Sequence, residues 1–249
     1  MKHKTVTILG SQVSCLTMAE VLEWVRMMVE QRKPRHIVTA NAEILYKAYR
    51  EEDFRRLLAK ADLLTADGSG VMLASRILGE PIPERVTGVE LTEQLFELAE
   101  EKGWGLYFLG ASQETVEKAV LNVLSRHTRL RIVGYRHGYY SQEETAQVLS
   151  NIKTAEPDIL LAALGVPKQE EFIQEHLKDL QVPVSIGIGG TFDILAGTAK
   201  RAPAWMRRRG LEWLYRLYRQ PSRYKRMLAL PKFLLLVLKN RYISRNSRI

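Results

Sequence analysis

A single cysteine, Cys15, occurs among the 249 residues, so no internal disulfide can form, and no cluster of Cys and His has metal-site spacing. That scarcity fits a reducing, cytosolic compartment. No Asp-x-Asp pair exists either, which leaves a divalent ion poorly supported. The N-terminal MKHKTVTILG carries lysines but no long apolar stretch, and it does not read as a secretory signal. Near the other end, the apolar run 233–238 is six residues long, against the roughly 20 needed to span a bilayer. Two motifs are missing as well. The glycine fingerprint that would mark a nicotinamide-dependent oxidoreductase does not follow the first expected strand, and there is no GxxxxGK[ST] phosphate loop. Acids are nearly absent from the last fifty positions: from Lys200 onward, fifteen Lys and Arg face the one carboxylate of Glu212. That segment has a net charge of +14 and the preceding residues −5, so the whole excess of +9 lies at the C-terminus. Such asymmetry points to a polyanionic partner, either nucleic acid or an anionic membrane.

What the chain does contain is a repeated alternation of apolar strands and amphipathic helices. Its 46% apolar and 26% charged residues are ordinary for a globular chain long enough to bury a proper core. Strands are expected at 5–9, 37–39, 63–66, 104–109, 130–133, 158–164 and 184–188, with helices between them. Thr17 and Glu20 have the spacing of a capping box that opens the first helix. This βα rhythm predicts an α/β fold: a Rossmann-like, mainly parallel sheet flanked by helices, forming a catalytic core over residues 1–195. Beyond it, residues 196–249 read as a basic, amphipathic helical appendage, interrupted at Pro221 and again at Pro231.

Glycine or polar residues end nearly every strand: Thr39 and Asn41, Asp67 with Gly68, Gly110, Gly165, then Gly187, Gly189 and Gly190. In open α/β sheets ligands sit outside the strand C-termini, so the succession implies one extended cleft. Asp67 there suits a general base, although Asp is equally a preferred helix N-cap; Asn41 carries the same ambiguity. The glycine turns supply backbone N–H groups suited to a diphosphate. Arg85 stands on a loop stiffened by Pro81 and Pro83, within reach of a phosphate. The aromatic loop 134–140, with Tyr139, can pack on a base or sugar or simply close the core edge, and His137 is the one histidine kept in reserve.

Basic residues interleaved with Trp, Tyr and Leu over 205–218 are what an interfacial helix needs, and the same composition can bind nucleic acid. The apolar stretch 228–238 suits lipid better than a phosphodiester backbone, so an anionic membrane surface is the expected partner and nucleic acid is not. The same apolar face could support self-association when no membrane is present.

Taken together, the motifs TANAE (39–43), TADGSG (65–70), RVTG (85–88), FLGA (108–111), GVPKQE (165–170), GIGGTFD (187–193) and RAPAWMRRRGLEW (201–213) resemble those of the WecG/TagA/CpsF glycosyltransferase family. The resemblance covers nearly the full chain. It implies transfer of a sugar from a UDP-sugar donor to a polyprenyl-diphosphate-linked sugar acceptor, by a peripheral enzyme on the cytoplasmic face of the cell membrane. Within the family it is similar to the branch of wall teichoic acid synthesis, which implies N-acetylmannosamine as the sugar, an inverting reaction and no metal or other cofactor. Carried onto this chain, the resemblance implies Asp67 as base and Thr39, Asn41, Arg85 and Gln169 around the reacting sugars. Tyr139 and Asp193 would lie on the uridine side, and Arg216, Arg223 and Arg226 of the appendage would meet a diphosphate.

Overall fold

A computed structural model describes residues 3–219 and 228–246. The chain opens with an antiparallel hairpin, β1 (Thr5–Ile8) and β2 (Ser11–Ser14), which stands apart from the main sheet. One parallel strand is what the pattern at 5–9 predicts. The hairpin forms instead because Leu9 and Gly10 both take positive φ, 49° and 85°, and close a tight two-residue turn. The βα alternation follows: α1 (Met18–Gln31), β3 (Arg35–Ala40), α2 (Ala42–Arg50), α3 (Glu52–Leu58), β4 (Leu63–Ala66), α4 (Ser69–Leu78) and α5 (Gly88–Lys102). It continues through β5 (Gly105–Gly110), α6 (Gln113–Leu124), β6 (Arg131–Arg136), α7 (Thr145–Ala155), β7 (Ile159–Ala163), α8 (Lys168–Leu180), β8 (Val184–Gly187) and α9 (Thr191–Leu195). The capping box expected at α1 is present, with Thr17 and Glu20 exchanging side-chain-to-backbone bonds.

Six strands form one parallel sheet in the order β4-β3-β8-β7-β5-β6. Helices α1, α5, α6 and α9 cover one face through a core that includes Ile37, Phe96, Phe108, Ile186 and Phe192. The rings of Phe108 and Phe192 stack with centroids 4.8 Å apart, which fastens α9 to the sheet. Two separate apolar clusters line the other face. One holds the hairpin, α2, α3 and α4; the second holds α7 and α8.

Past α9 come α10 (Ala204–Arg208), α11 (Glu212–Arg219) and α12 (Ala229–Asn246). Pro231 does not interrupt α12 but lies in its first turn, where the missing N–H has no intrahelical partner to lose. Phe233 and Val237 of α12 are fully buried in the cluster with Ile44, Leu45 and Ala48 of α2 and Val71 and Ala74 of α4. Its other face stays in solvent at Leu235, Leu238 and Tyr242. No helix among the described residues is long and apolar enough to cross a membrane. Truncating a buried Phe costs about 3–5 kcal/mol, whereas an exposed site stays within about 0.5 kcal/mol. Phe233→Ala should therefore lower thermal stability strongly and Leu235→Ala hardly at all; equal midpoints for the two variants would mean that α12 does not dock as described.

Candidate active site

The parallel register sets the site. Thr39 pairs with Thr65 across β3 and β4, and Val38 with Gly187 across β3 and β8, so the C-terminal ends of three strands come level. Around them is a cavity of about 90 Å³ lined by Thr39, Asn41, Asp67, Gln169, Gly189 and Gly190, with Thr87, Thr191, Arg201 and Glu212 at its other walls. The buried Thr39 hydroxyl donates to the Gly187 carbonyl at 2.8 Å, tying β3 to β8 beneath the cavity.

Asp67 does not cap α4. That helix begins behind Gly68, whose φ of 93° only glycine takes readily, and has no side-chain cap. The carboxylate reaches across instead, and its Oδ2 accepts the N–H of Gly88 at 3.1 Å. Gly88 opens α5, so the positive end of that helix faces the acid and fixes its orientation. Asn41 does cap α2, its Oδ1 accepting from Ile44 N at 3.0 Å, and it lines the cavity as well. Its amide nitrogen is the group left to meet a ligand. Gln169 is held at both ends of its amide: Nε2 donates to Glu170 Oε1 at 2.7 Å, and Oε1 accepts from Gly189 N at 3.2 Å. A side chain at position 187 would collide with it, since a Cβ there would lie 2.6 Å from Gln169 Nε2.

Arg85 does not line this cavity. It lines an adjoining groove of about 700 Å³ together with Ser69, Arg76, Arg207, Arg209 and Trp213. Arg85 Nη2 lies 3.4 Å from Glu90 Oε1, and its Nη1 3.7 Å from Glu212 Oε2. Glu90 is the hub of this wall: the same oxygen accepts from Arg201 at 2.8 Å and lies 3.3 Å from Arg207. Partial burial pushes the Glu90 carboxyl up, yet the Arg201 hydrogen bond, the Arg85 charge and the Thr87 hydrogen bond outweigh it and hold it below the usual value. Ser69 Oγ donates to the Gly210 carbonyl at 2.9 Å, a second link between the core and the basic segment.

The remaining expected residues stand elsewhere. Gly110 ends β5 with its backbone pressed on Ala163, where a Cβ would come within 2.4 Å, and it lies outside the cavity. Tyr139 is exposed on the loop after β6. Asp193 lies in the first turn of α9, its Oδ2 3.4 Å from where a Gly190 Cβ would stand. Arg216 is on α11, while Arg223 and Arg226 fall outside the described residues. Sequence reasoning did not single out Glu90, Arg201 or Arg207. Arg201 and Arg207 lie inside the RAPAWMRRRGLEW motif, and their Nε atoms are buried without a partner among the described residues. Among the described residues no group of three or more His, Cys, Asp or Glu is arranged to hold a metal ion.

A doubly wound α/β sheet with a polar cavity at its strand ends and arginines along one wall is the architecture of a ligand-binding α/β enzyme. The chain belongs to the glycosyl transferase WecG/TagA/CpsF family, which it matches over residues 6–247. Among its relatives is the N-acetylglucosaminyldiphosphoundecaprenol N-acetyl-beta-D-mannosaminyltransferase of Bacillus subtilis (strain 168), 36% identical over 211 residues, which cover 85% of this chain and 82% of that protein. The protein of the same name from Bacillus spizizenii is 35% identical over 212 residues, 85% of this chain and 82% of its own length. A third, from Staphylococcus aureus (strain MW2), is 32% identical over 236 residues, covering 94% and 92%.

Removing one member of a charged, partly buried hydrogen-bond network costs about 1–3 kcal/mol. Glu90→Ala should accordingly loosen the basic segment locally, and amides of 204–219 should exchange faster while those of the sheet do not. Unchanged exchange there would show that Glu90 is not the anchor.

Proposed function

We propose that the protein transfers N-acetylmannosamine from UDP-N-acetylmannosamine to the 4-hydroxyl of N-acetylglucosaminyl-diphospho-undecaprenol, as in the linkage unit of wall teichoic acid. The support comes from the family match, the names of the relatives and, above all, one observation: Asp67 lines a polar cavity at the level of Thr39 and Gln169. In this reading the Asp67 carboxylate takes the proton of the acceptor hydroxyl. The acceptor oxygen attacks the anomeric carbon, the bond from that carbon to the diphosphate oxygen breaks, and UDP leaves with the electron pair. Attack opposite the leaving group inverts the anomeric centre and gives a β-1,4 linkage. The growing charge on UDP is met by arginines and by the backbone N–H of Gly190, without a metal.

Arginines at positions 85, 201 and 207, already gathered on one wall, are suited to the diphosphates of donor and lipid acceptor. Arg216, Arg223 and Arg226 would add to them from the C-terminal segment. A cavity of about 90 Å³ is too small for a nucleotide sugar, since pockets for ligands of that size run roughly 300–1,000 Å³. A bound donor would therefore reach from this cavity into the adjoining groove of about 700 Å³ lined by Arg85 and Arg207. A polyprenyl chain stays in the bilayer, so in this reading the enzyme works at the membrane surface. The exposed apolar and basic residues of α10 to α12, among them Trp205, Tyr218, Leu235 and Lys239, suit contact with anionic lipid.

A screen of UDP-sugars with a short-chain lipid-diphosphate N-acetylglucosamine acceptor should give UDP release with UDP-N-acetylmannosamine. Asp67→Asn should lower kcat by roughly 10²–10⁴-fold, the range for a lost general base, with thermal stability kept. Near-normal turnover in that variant would remove Asp67 as the base; release with another UDP-sugar alone would reassign the donor.

A further inference from the structure

Glu170 is a glutamate with no solvent exposure and no ion-pair partner among the described residues. Its Oε1 accepts from Gln169 Nε2 at 2.7 Å, while Oε2 is buried without a hydrogen-bond partner. Burying a carboxyl without a cation is destabilising, so packing alone would favour an apolar residue of similar volume here. Helix polarity explains the residue no better, because Glu171 already supplies an acid to the first turn of α8. What Glu170 does uniquely is complete the specification of a neighbouring amide. Gln169 points its nitrogen at the Glu170 carboxyl and its oxygen at the Gly189 N–H, 3.2 Å away. Turned over, the amide would set oxygen against oxygen and N–H against N–H. The space is tight as well: a Cβ on Gly187 would stand 2.6 Å from Gln169 Nε2 and 3.1 Å from Glu170 Oε1.

We propose that Glu170 is a positioning residue that acts through Gln169, locking that side chain in the single orientation in which it lines the Asp67 cavity. The inference rests on the reading of that cavity as the sugar-transfer site. Burial pushes the Glu170 carboxyl up to about 7, and in either protonation state Oε1 remains able to accept from Gln169. A glutamine at 170 keeps such an acceptor and a methionine does not.

The test uses the full chain and compares Glu170→Gln, Glu170→Met, Gln169→Ala and the double variant Gln169→Ala/Glu170→Met. Glu170→Gln should stay within about threefold of wild-type kcat, whereas Glu170→Met should lose roughly tenfold, the equivalent of one hydrogen bond. In the Gln169→Ala background the methionine should change kcat by less than about twofold, because interacting residues are not additive. Losses that multiply in the double variant, or a glutamine variant as impaired as the methionine one, would overturn the proposal. A second measurement needs no substitution of Glu170: in protein with ¹⁵N-labelled glutamine side chains, the Gln169 NH₂ pair, assigned by its loss in Gln169→Ala, should exchange with solvent far more slowly than that of the exposed Gln12, because its nitrogen is buried against Glu170. An NH₂ pair that exchanges as fast as an exposed glutamine's would sink the contact even if Glu170→Met fails to fold. Failure of the functional reading looks different: wild-type protein then turns over no lipid-diphosphate acceptor, while the slow exchange of the Gln169 NH₂ pair persists.

Discussion

Strand β3 is hydrogen-bonded along both edges, to β4 on one side and β8 on the other, and the cleft depends on that double pairing. A parallel ladder keeps neighbouring strands level at their C-terminal ends, so three unrelated stretches of sequence finish at one height. Thr39 reinforces the arrangement from within by donating to the Gly187 carbonyl. Loss of register in β3 by one residue would turn Thr39 to the opposite face and exchange it for a neighbouring apolar side chain. Asp67 and Gly187 would then no longer share a floor. The chemistry assigned to the cavity is thus borrowed from the stability of the sheet, and the loops above it need only supply charge.

That charge arrives from far along the chain. Glu90 collects three arginines from the loop before α5 and from the segment after α9, and Glu212, the one acid of the basic C-terminal stretch, sits beside Arg85. Three guanidiniums near each other repel, and the carboxylates offset this while leaving further N–H donors to face a ligand. Guanidiniums already held in place lose less freedom when an anion binds, which favours tight recognition of a diphosphate. The same carboxylates compete with that anion for the arginines. In the proposed reaction a diphosphate would have to displace Glu212 from Arg85 at the cleft wall.

Much of this was legible in the sequence. Apolar runs ended by glycine or polar residues gave the parallel strands and placed Asp67, Asn41, Thr39 and Gln169 at one sheet edge, because period and punctuation are local signals. Less local features were not legible. Leu9-Gly10 carries no Asn-Gly or Asp-Gly signature, and a leucine at positive φ is seldom a turn signal, so the N-terminal hairpin reads as one strand. Pro231 looks like a break until its place in the first turn of α12 is seen. Asp67 and Gly88 are 21 residues apart, and a helix approached by its N-terminus across that distance leaves no mark in either motif. Arg201 and Arg207 were visible as members of a motif and as positive charge, but nothing in their own neighbourhood names Glu90 as their partner.

The same limit explains Glu170. Read along the chain, it is one of two acids in a helix's first turn, where acids are common. Its meaning comes from the layer above the sheet. The apolar face beneath α2 and α4 and the one beneath α7 and α8 do not merge, and α8 lies along their boundary. Buried polar side chains mark that boundary: on the sheet His36, bonded to Gln174 of α8 at 2.7 Å, and its strand partner Ser185, and on α8 itself Glu170 over Gly187. Burial holds His36 neutral, with its pKa pushed down to about 3, so this ring supplies no cation to the boundary. Two apolar cores separated by a polar seam are less stable than one continuous core would be. The seam is tolerable because α8 begins at the cavity, and a helix whose first turn must hold Gln169 in one orientation needs polar atoms beneath it rather than interchangeable methyl groups.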